Sequence, residues 1–410
     1  MTTADPNQIA SPIKVSLKLL LPLLASILAM SPLAIDMYLS AMPIIAEELN
    51  TPITMVQNSL SIYLLGFSLG LVLFGPMADK FPRRTLVLLG MCGFFVASLL
   101  LAFSTNIEQF LTLRFFQAFI SSAATVVVPG AVREYYGKDT AKGLSYVSMI
   151  MMLAPMIAPS IGSALLLTHS WQLIFYVLAA YSLLVIVLVC YYLPNAKVIV
   201  PRQGQEAGQN ELSFVQRYKV VLSNTKARLD IISSMMISLA FFAYLTAIPY
   251  IYLTVFSVSE YKFSLLFALN VVGLMTAHFI NTRLVVRKGS RAMLRFGLVI
   301  ATLSAIALLL VSVLQLPLIY TVVVILPLMG SISMVLVNSD ALVLVKFPEH
   351  SGTVTAVIGI LRWGIGALAG PILTFFYDGT AKPFALLMFT AVGIVLCCQI
   401  RVWFRYKTAQ

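Results

Sequence analysis

The chain has 410 residues, of which 60% are hydrophobic and 10% are charged, and its mean hydropathy is +0.96. A soluble domain carries about a quarter charged residues, so this composition excludes a protein whose main solvent is water. The formal net charge of +12 lies mostly in segments between the apolar runs, which argues against a nucleic-acid-binding surface.

Apolar runs of roughly 20 residues recur from about Ser16 to Phe404, and we count about twelve of them. Each is long enough to cross about 30 Å of hydrocarbon as a helix. A membrane β-barrel needs alternating polar residues, which runs such as 99–103 and 183–190 lack. The sequence therefore predicts an all-α membrane protein with twelve transmembrane helices.

Basic residues predict the orientation of these helices. If the N-terminus is cytoplasmic, nearly all Lys and Arg outside the spans fall on the inner side, and the outer loops keep only Lys262 and Lys382. This asymmetry follows the positive-inside rule. We therefore predict a multi-pass protein of the bacterial inner membrane with both termini in the cytoplasm. The first eleven residues are polar and lack a basic n-region, so the first span is expected to be retained.

A polar stretch near the middle of the chain, which includes PRQGQEAGQN, has too little apolar content to form a core. It predicts a six-helix bundle over residues 1–193, a cytoplasmic linker over 194–227 and a second six-helix bundle over 228–410. The basic turn GPMADKFPRR at 75–84 is echoed by NTRLVVRKGSRAML at 281–294, about half the chain later. Parallel repeats with a binding site between them are typical of transporters.

Four charged residues lie inside the predicted spans, where burying one costs roughly 2.5 to 3.5 kcal/mol. By helical rise, Asp36 lies roughly 27 Å along the first span, and Arg114 lies roughly 10 Å below the outer surface in the fourth. Their similar depth predicts one shared cavity, with Asp36 as proton carrier and Arg114 as the cation that tunes it. A fixed structural salt bridge or a bond to backbone carbonyls is the alternative.

The other two intramembrane charges, Asp340 and Arg362, are secondary candidates for coupling. Asp340 lies roughly 8 Å from the cytoplasmic end of the tenth span, where it can reach water. The alternatives are a solvated helix end for Asp340 or a contact between the two residues.

Polar and aromatic residues near these charges predict a cavity with apolar walls and few polar groups, which suits amphipathic ligands. For each aromatic residue, core packing or lipid contact is the alternative. The predicted cavity residues are Tyr38, Gln57, Tyr63, Gln117, Phe241, Phe242, Tyr244, Asn270 and Asn338.

Two motifs resemble those of the major facilitator superfamily. The turn GPMADKFPRR resembles the loop between helices 2 and 3. Its charges are also candidates for a cytoplasmic gate, where charges that bridge the two bundles stabilise one conformation. The gate residues are Gly75, Asp79, Arg83 and Arg84. The segment LRFFQAF at 113–119 resembles the helix 4 motif R-x-x-Q-G, and this implies a coupling role for Arg114.

Further segments resemble a branch of the drug:proton antiporters, the bicyclomycin/chloramphenicol-resistance branch. LAPMIAPSIGS at 153–163 is similar to the helix 5 antiporter motif, represented here by Pro155, Pro159 and Gly162. IDMYLSAMP, SIYLLGFSLG, KFPEHSGT and LRWGIGALAG extend the resemblance over nearly the whole chain. Where some antiporters of the superfamily carry a second acid on helix 1, this chain has Leu28.

The resemblance implies export of small amphipathic compounds in exchange for protons, which are the coupling ion. The alternative is a proton-coupled transporter of a natural metabolite, such as a nucleoside or an amino-acid derivative. No P-loop, HExxH or GxSxG motif occurs, and the four cysteines have no metal-ligating or redox spacing. We therefore expect no enzyme activity, no metal, no organic cofactor and no nucleic-acid partner. The expected partners are the substrate and the lipid bilayer, around a monomer.

Overall fold

A computed structural model of the chain describes residues 17–78, 80–136, 153–167, 170–193, 227–347 and 351–407. It also describes positions 143, 146–147, 150–151, 219, 221 and 223–225. All regular structure in these residues is helical. Asp79 and most of the predicted linker 194–227 lie outside them, so the domain boundaries stay a prediction.

The helices of the first half are α1 (Leu17–Asp36), a 3-10 turn (Leu39–Ala41), α2 (Met42–Glu48), α3 (Ile53–Ala78), α4 (Arg83–Ala102), α5 (Ile107–Thr125), α6 (Val128–Tyr136), α7 (Leu153–Leu166) and α8 (Gln172–Tyr192). Those of the second half are α9 (Arg228–Pro249), a π-helix (Tyr250–Val255), α10 (Glu260–Lys288), α11 (Ser290–Val313), α12 (Leu318–Leu344), α13 (Ser351–Gly366), α14 (Ala369–Phe375) and α15 (Lys382–Lys407).

Eleven helical stretches among the described residues are long and apolar enough to cross a membrane. The shorter apolar helix α7, with 14 residues, stands where the fifth span was predicted. The spans Leu19–Glu48 and Val354–Phe375 each contain more than one helix. The chain turns within them at residues 37–41 and 367–368. The prediction of an all-α membrane fold is confirmed.

The two halves repeat one packing scheme. In the first half α3 packs against α5, α5 against α4, and α4 against α8. In the second half the corresponding helices pair in the same way: α10 with α12, α12 with α11, and α11 with α15. This repetition agrees with the internal duplication suggested by the two basic turns.

Close approach of α3 and α5 depends on glycine. A Cβ atom at Gly66 would lie 2.4 Å from the Phe115 carbonyl oxygen, and one at Gly70 would lie 2.4 Å from the Phe119 carbonyl oxygen. Small residues let membrane helices approach until their backbones touch. The glycines of α3 therefore set the position of α5, which carries Arg114.

The halves meet through α13 and α14 against α3, and through α7 against α10. We call the end of the bundle where α1 begins and α15 ends the terminal face, and the end where α3 and α10 begin the far face. Near the far face the halves are joined by hydrogen bonds: Gln57 Nε2 donates to the Thr246 carbonyl oxygen at 3.1 Å, and the Gly370 N–H donates to Ser61 Oγ at 2.8 Å. The described residues thus show halves that are bonded together near the far face.

Candidate functional site

Asp36 lies at the last position of α1, where the chain tightens into the 3-10 turn. Its side chain is only 3% exposed, and its Oδ1 atom has no hydrogen-bond partner. A Cβ atom at Gly162 would lie 1.9 Å from the Met37 carbonyl oxygen, so α7 packs directly on this break in α1. Gly162 of the antiporter-like motif therefore supports the residue that follows Asp36.

This contact makes Gly162 a testable packing residue. Replacing it by Ala places a methyl group against a backbone oxygen, so we expect a loss of stability of about 1 to 3 kcal/mol. The matched control is Gly393→Ala in α15, where an added Cβ would meet nothing within 4 Å. Thermal unfolding of the purified protein in detergent measures both variants, and equal melting temperatures would contradict the assignment.

Arg114 is fully buried two turns into α5. The helix starts at Asn106, whose Oδ1 accepts a hydrogen bond from the Gln109 N–H. The guanidinium carbon lies 4.3 Å from the ring centroid of Tyr38 and 4.6 Å from that of Tyr63. Such cation–π contacts stabilise a desolvated cation by about 2 kcal/mol. The fold therefore places the Arg114 cation over the rings of Tyr38 and Tyr63.

Polar contacts of Arg114 stay within the first half. Its Nη1 donates to Gln117 Oε1 at 2.7 Å, and Gln117 Nε2 donates to Ser98 Oγ at 2.8 Å. Arg114 Nε and Nη2 have no hydrogen-bond partner, and neither has Asp36 Oδ1, so these atoms do not join the two residues. The proposed tuning of Asp36 by Arg114 is thus not a direct bond in this conformation. Tyr38, two residues after Asp36 in the chain, contacts the Arg114 guanidinium through its ring.

Asp36 lies within electrostatic range of one residue of the second half. Tyr244 of α9 lies close enough to Asp36 for the two to interact electrostatically, and it also lies beside Asn270 of α10. The Tyr244 hydroxyl and Asn270 Oδ1 are buried without hydrogen-bond partners. Tyr244 stacks on Phe267, with 6.1 Å between ring centroids. The structure therefore brings one predicted cavity residue of the other half, Tyr244, within electrostatic range of Asp36.

Asp340 and Arg362 form an ion pair between α12 and α13, which is one of the alternatives considered for them. Ser234 Oγ of α9 donates to Asp340 Oδ1 at 2.5 Å. The two side chains are 22% and 29% exposed, in contrast to Asp36 and Arg114. Among the described residues, the Asp340–Arg362 ion pair is therefore more exposed than Asp36 and Arg114, and it lies nearer the terminal face.

The other predicted cavity residues divide between the halves. Phe242 packs on Trp363, with 5.4 Å between ring centroids, and Phe241 packs edge-on against Phe242. Asn338 Nδ2 donates to Asn281 Oδ1 at 2.7 Å, a contact within the second half. All nine predicted cavity residues except Phe241 are buried, so their role in an open cavity stays a prediction.

Gate residues of the basic turn make bonds within the first half. Arg83 Nη1 donates to the Val127 carbonyl oxygen at 3.1 Å, and Arg84 Nη2 donates to the Cys190 carbonyl oxygen at 2.7 Å. A Cβ atom at Gly75 would meet nothing within 4 Å, and Asp79 lies outside the described residues. The gate that bridges both bundles stays a prediction.

The antiporter-like motif of α7 lies at the contact between the halves. Ser264 Oγ of α10 donates to the Pro159 carbonyl oxygen at 2.9 Å, and Ser264 and Ser163 share a hydrogen bond between their hydroxyls. Pro155 lies one turn earlier on α7. These bonds join the halves near the far face, in addition to the contact of α3 with α14.

Sequence reasoning missed a buried charge, Asp230, which has no exposed side-chain surface. It accepts bonds from Arg291 at 3.0 Å, Lys346 at 2.7 Å and Gln399 at 3.1 Å. These residues come from four separate parts of the second half, which Asp230 ties together near the terminal face. One sequence signal could have indicated it. Asp230 is an acid in the first turn of an apolar helix, and basic residues stand at the ends of other helices.

Two repeated helical halves, bonded at one end and enclosing buried charges at their boundary, define a polytopic membrane transporter. Residues 24–371 match the Major Facilitator Superfamily, and the chain belongs to this family. It is a transporter and not an enzyme.

Curated relatives match most of the chain. A bicyclomycin resistance protein homolog of Haemophilus influenzae is 29% identical over 375 residues, which is 91% of this chain and 92% of the relative. An uncharacterized transporter of the same superfamily from Bacillus subtilis, YdgK, is 30% identical with the same coverage of both chains. A chloramphenicol resistance protein of Pseudomonas aeruginosa is 28% identical over 93% of this chain and 91% of its own length.

Solved structures share the fold. A bacterial homolog of the human lysosomal transporter Spinster, in an inward-facing and unoccupied conformation, has a TM-score of 0.71 with 14% identity, and the match covers 93% of this chain and 95% of that one. The nucleoside transporter NupG has a TM-score of 0.72 with 12% identity over 93% of this chain and 98% of its own. At these identities the likeness concerns the fold alone.

Proposed function

We propose that this protein exports small amphipathic compounds across the bacterial inner membrane in exchange for protons. Its two halves alternate between a state closed at the far face and a state closed at the terminal face, with both termini in the cytoplasm. The resistance proteins among its relatives support drug-like substrates. The excess of basic residues in the inner segments supports the orientation.

The observation that carries this proposal is the position of Asp36. It is 3% exposed, its Oδ1 has no hydrogen-bond partner, and the contacts of Arg114 are with Tyr38, Tyr63 and Gln117. An isolated carboxylate in such a place is strongly disfavoured, whereas the protonated carboxyl group carries no charge. Asp36 is therefore suited to take up and release a proton as its access to water changes.

Access to Asp36 depends on the bonds at the far face. The far-face bonds of Gln57, Ser61 and Ser163 to the second half separate only when the halves move apart. In the proposed cycle the proton reaches Asp36 from outside after these bonds open, and it leaves toward the cytoplasm after they form again. Substrate takes the opposite direction, because alternating access exposes one shared site to each side in turn.

Proton movement in inverted membrane vesicles tests this function. A pH gradient is formed, candidate compounds such as chloramphenicol and cationic dyes are added, and dissipation of the gradient is recorded. We expect at least one compound to cause saturable proton release that is missing from vesicles without the protein. Substrate uptake that continues unchanged when the pH gradient is abolished would contradict proton coupling.

A further inference from the structure

The Asp340–Arg362 pair is more exposed than the buried side chain of Asp36. The pair is 22% and 29% exposed, whereas Asp36 is 3% exposed. Arg362 lies eleven residues into α13, so its Cα atom is roughly 16 Å along the helix from the terminal end. Along the bundle axis the pair thus lies between the terminal face and Asp36, which stands at the far end of α1.

Hydrogen-bonding capacity at this pair is unequal. Both oxygens of Asp340 are engaged, one by Ser234 and the other by Arg362. Arg362 Nε, by contrast, is buried and has no hydrogen-bond partner. A buried unpaired donor costs about 1 to 3 kcal/mol, and an incoming acceptor removes that cost. The pair therefore favours a ligand group that accepts hydrogen bonds over an ammonium group that donates them.

An aromatic surface lies next to the pair along α13. Trp363 is partly exposed and packs against Phe67 of the first half, with 4.3 Å between ring centroids, and against Phe242 of the second half. At the same level Ser68 Oγ of α3 donates to the Ile360 carbonyl oxygen at 2.9 Å. Trp363 therefore lies in a contact between the halves, where a planar ring can replace one of its present aromatic neighbours.

We propose that Arg362, Asp340 and Trp363 form a subsite for planar aromatic compounds that carry an anionic or strongly hydrogen-bond-accepting group. The acceptor bonds to Arg362, whose guanidinium Asp340 holds in place, and the ring stacks on Trp363. This inference rests on the proposed function, because the compound is a substrate that approaches from the terminal face. The proposed subsite also predicts which charge on the substrate is preferred, whereas the proposed function does not.

Two probes with one ring and opposite charges test this subsite. Both 4-nitrobenzoate and 4-nitrobenzylammonium carry a nitrobenzene ring, which quenches tryptophan fluorescence on contact. They are titrated into the full-length protein in detergent, without any proton gradient. We expect saturable quenching with a half-saturation concentration about tenfold or more lower for the benzoate, the size of one charge-assisted hydrogen bond.

Three variants locate the effect. Trp363→Phe is expected to remove the saturable quenching, although the other two of the three tryptophans, Trp171 and Trp403, remain. Arg362→Gln is expected to abolish the preference for the benzoate. Asp340→Asn removes the carboxylate that holds the guanidinium in place, so the half-saturation concentration for the benzoate is expected to rise while the quenching stays saturable.

Stronger binding of the ammonium probe, or equal saturable quenching in Trp363→Phe, would overturn the subsite. Because binding is measured without a gradient, its failure is distinct from failure of the proposed function. Saturable benzoate binding without substrate-driven proton release would contradict proton coupling but not the subsite. Substrate-driven proton release without a preference for the benzoate probe would contradict the subsite but not proton coupling.

Discussion

Asp36→Asn is expected to reduce substrate-induced proton release in inverted vesicles to the level of vesicles without the protein. The amide has nearly the shape of the carboxyl group but cannot exchange a proton. Since Asp36 Oδ1 has no hydrogen-bond partner, the substitution removes no bond at that atom, and the fold should persist. The same gradient-dissipation assay measures the effect on coupling.

Two comparisons isolate coupling from folding in this variant. Exchange of labelled for unlabelled substrate without a pH gradient should continue, because it needs binding and alternation but no net proton transfer. Asp378→Asn is the matched control: this aspartate is exposed in a turn at the far face, where its Oδ1 accepts the Thr380 N–H at 2.9 Å. We expect proton release in the control to equal that of the wild type. Proton release that survives in Asp36→Asn would transfer the carrier role to Asp340.

Asp230→Asn is expected to destabilise the protein by about 3 to 5 kcal/mol, the effect of breaking a buried ion pair. The substitution removes the negative charge shared by Arg291 and Lys346, at a position with no exposed side-chain surface. Because Gln399 also donates to Asp230, the change affects α9, α11, α15 and the segment after α12 together. Thermal unfolding in detergent, followed by far-ultraviolet circular dichroism, measures the loss.

The control for this prediction is Asp340→Asn, which breaks an ion pair in the same half. That pair is less buried than Asp230, so the expected loss of stability is smaller. Equal losses in the two variants, or an unchanged melting temperature in Asp230→Asn, would contradict the assignment of Asp230 as the charge that holds the second half together.

Much of the candidate site was predictable because it depends on where residues stand along the chain. Asp36 and Arg114 were identifiable as charges within apolar runs, since burying an unpaired charge in hydrocarbon is costly and needs a reason. Gly162 was identifiable by the resemblance of its segment to an antiporter motif. The structure adds the physical reason for that glycine, a backbone oxygen 1.9 Å from where a Cβ would be.

Partners of these charges were not predictable in the same way. Arg114 was expected to act on Asp36, but its neighbours are the rings of Tyr38 and Tyr63, which come from two other parts of the first half. Asp230 was not singled out from the sequence, and only the approach of three other segments buries and pairs it. Such contacts join residues that are up to 169 positions apart in the chain.

The sequence by itself determined the helical class, the apolar runs and the positions of the four predicted intramembrane charges within them. It did so because hydrocarbon requires each spanning segment to satisfy its own backbone hydrogen bonds, which makes the length and polarity of each run decisive. Only the tertiary structure decided which charges meet. The rotation and spacing of packed helices set those contacts, and they depend on small residues and side-chain shapes summed over several helices at once.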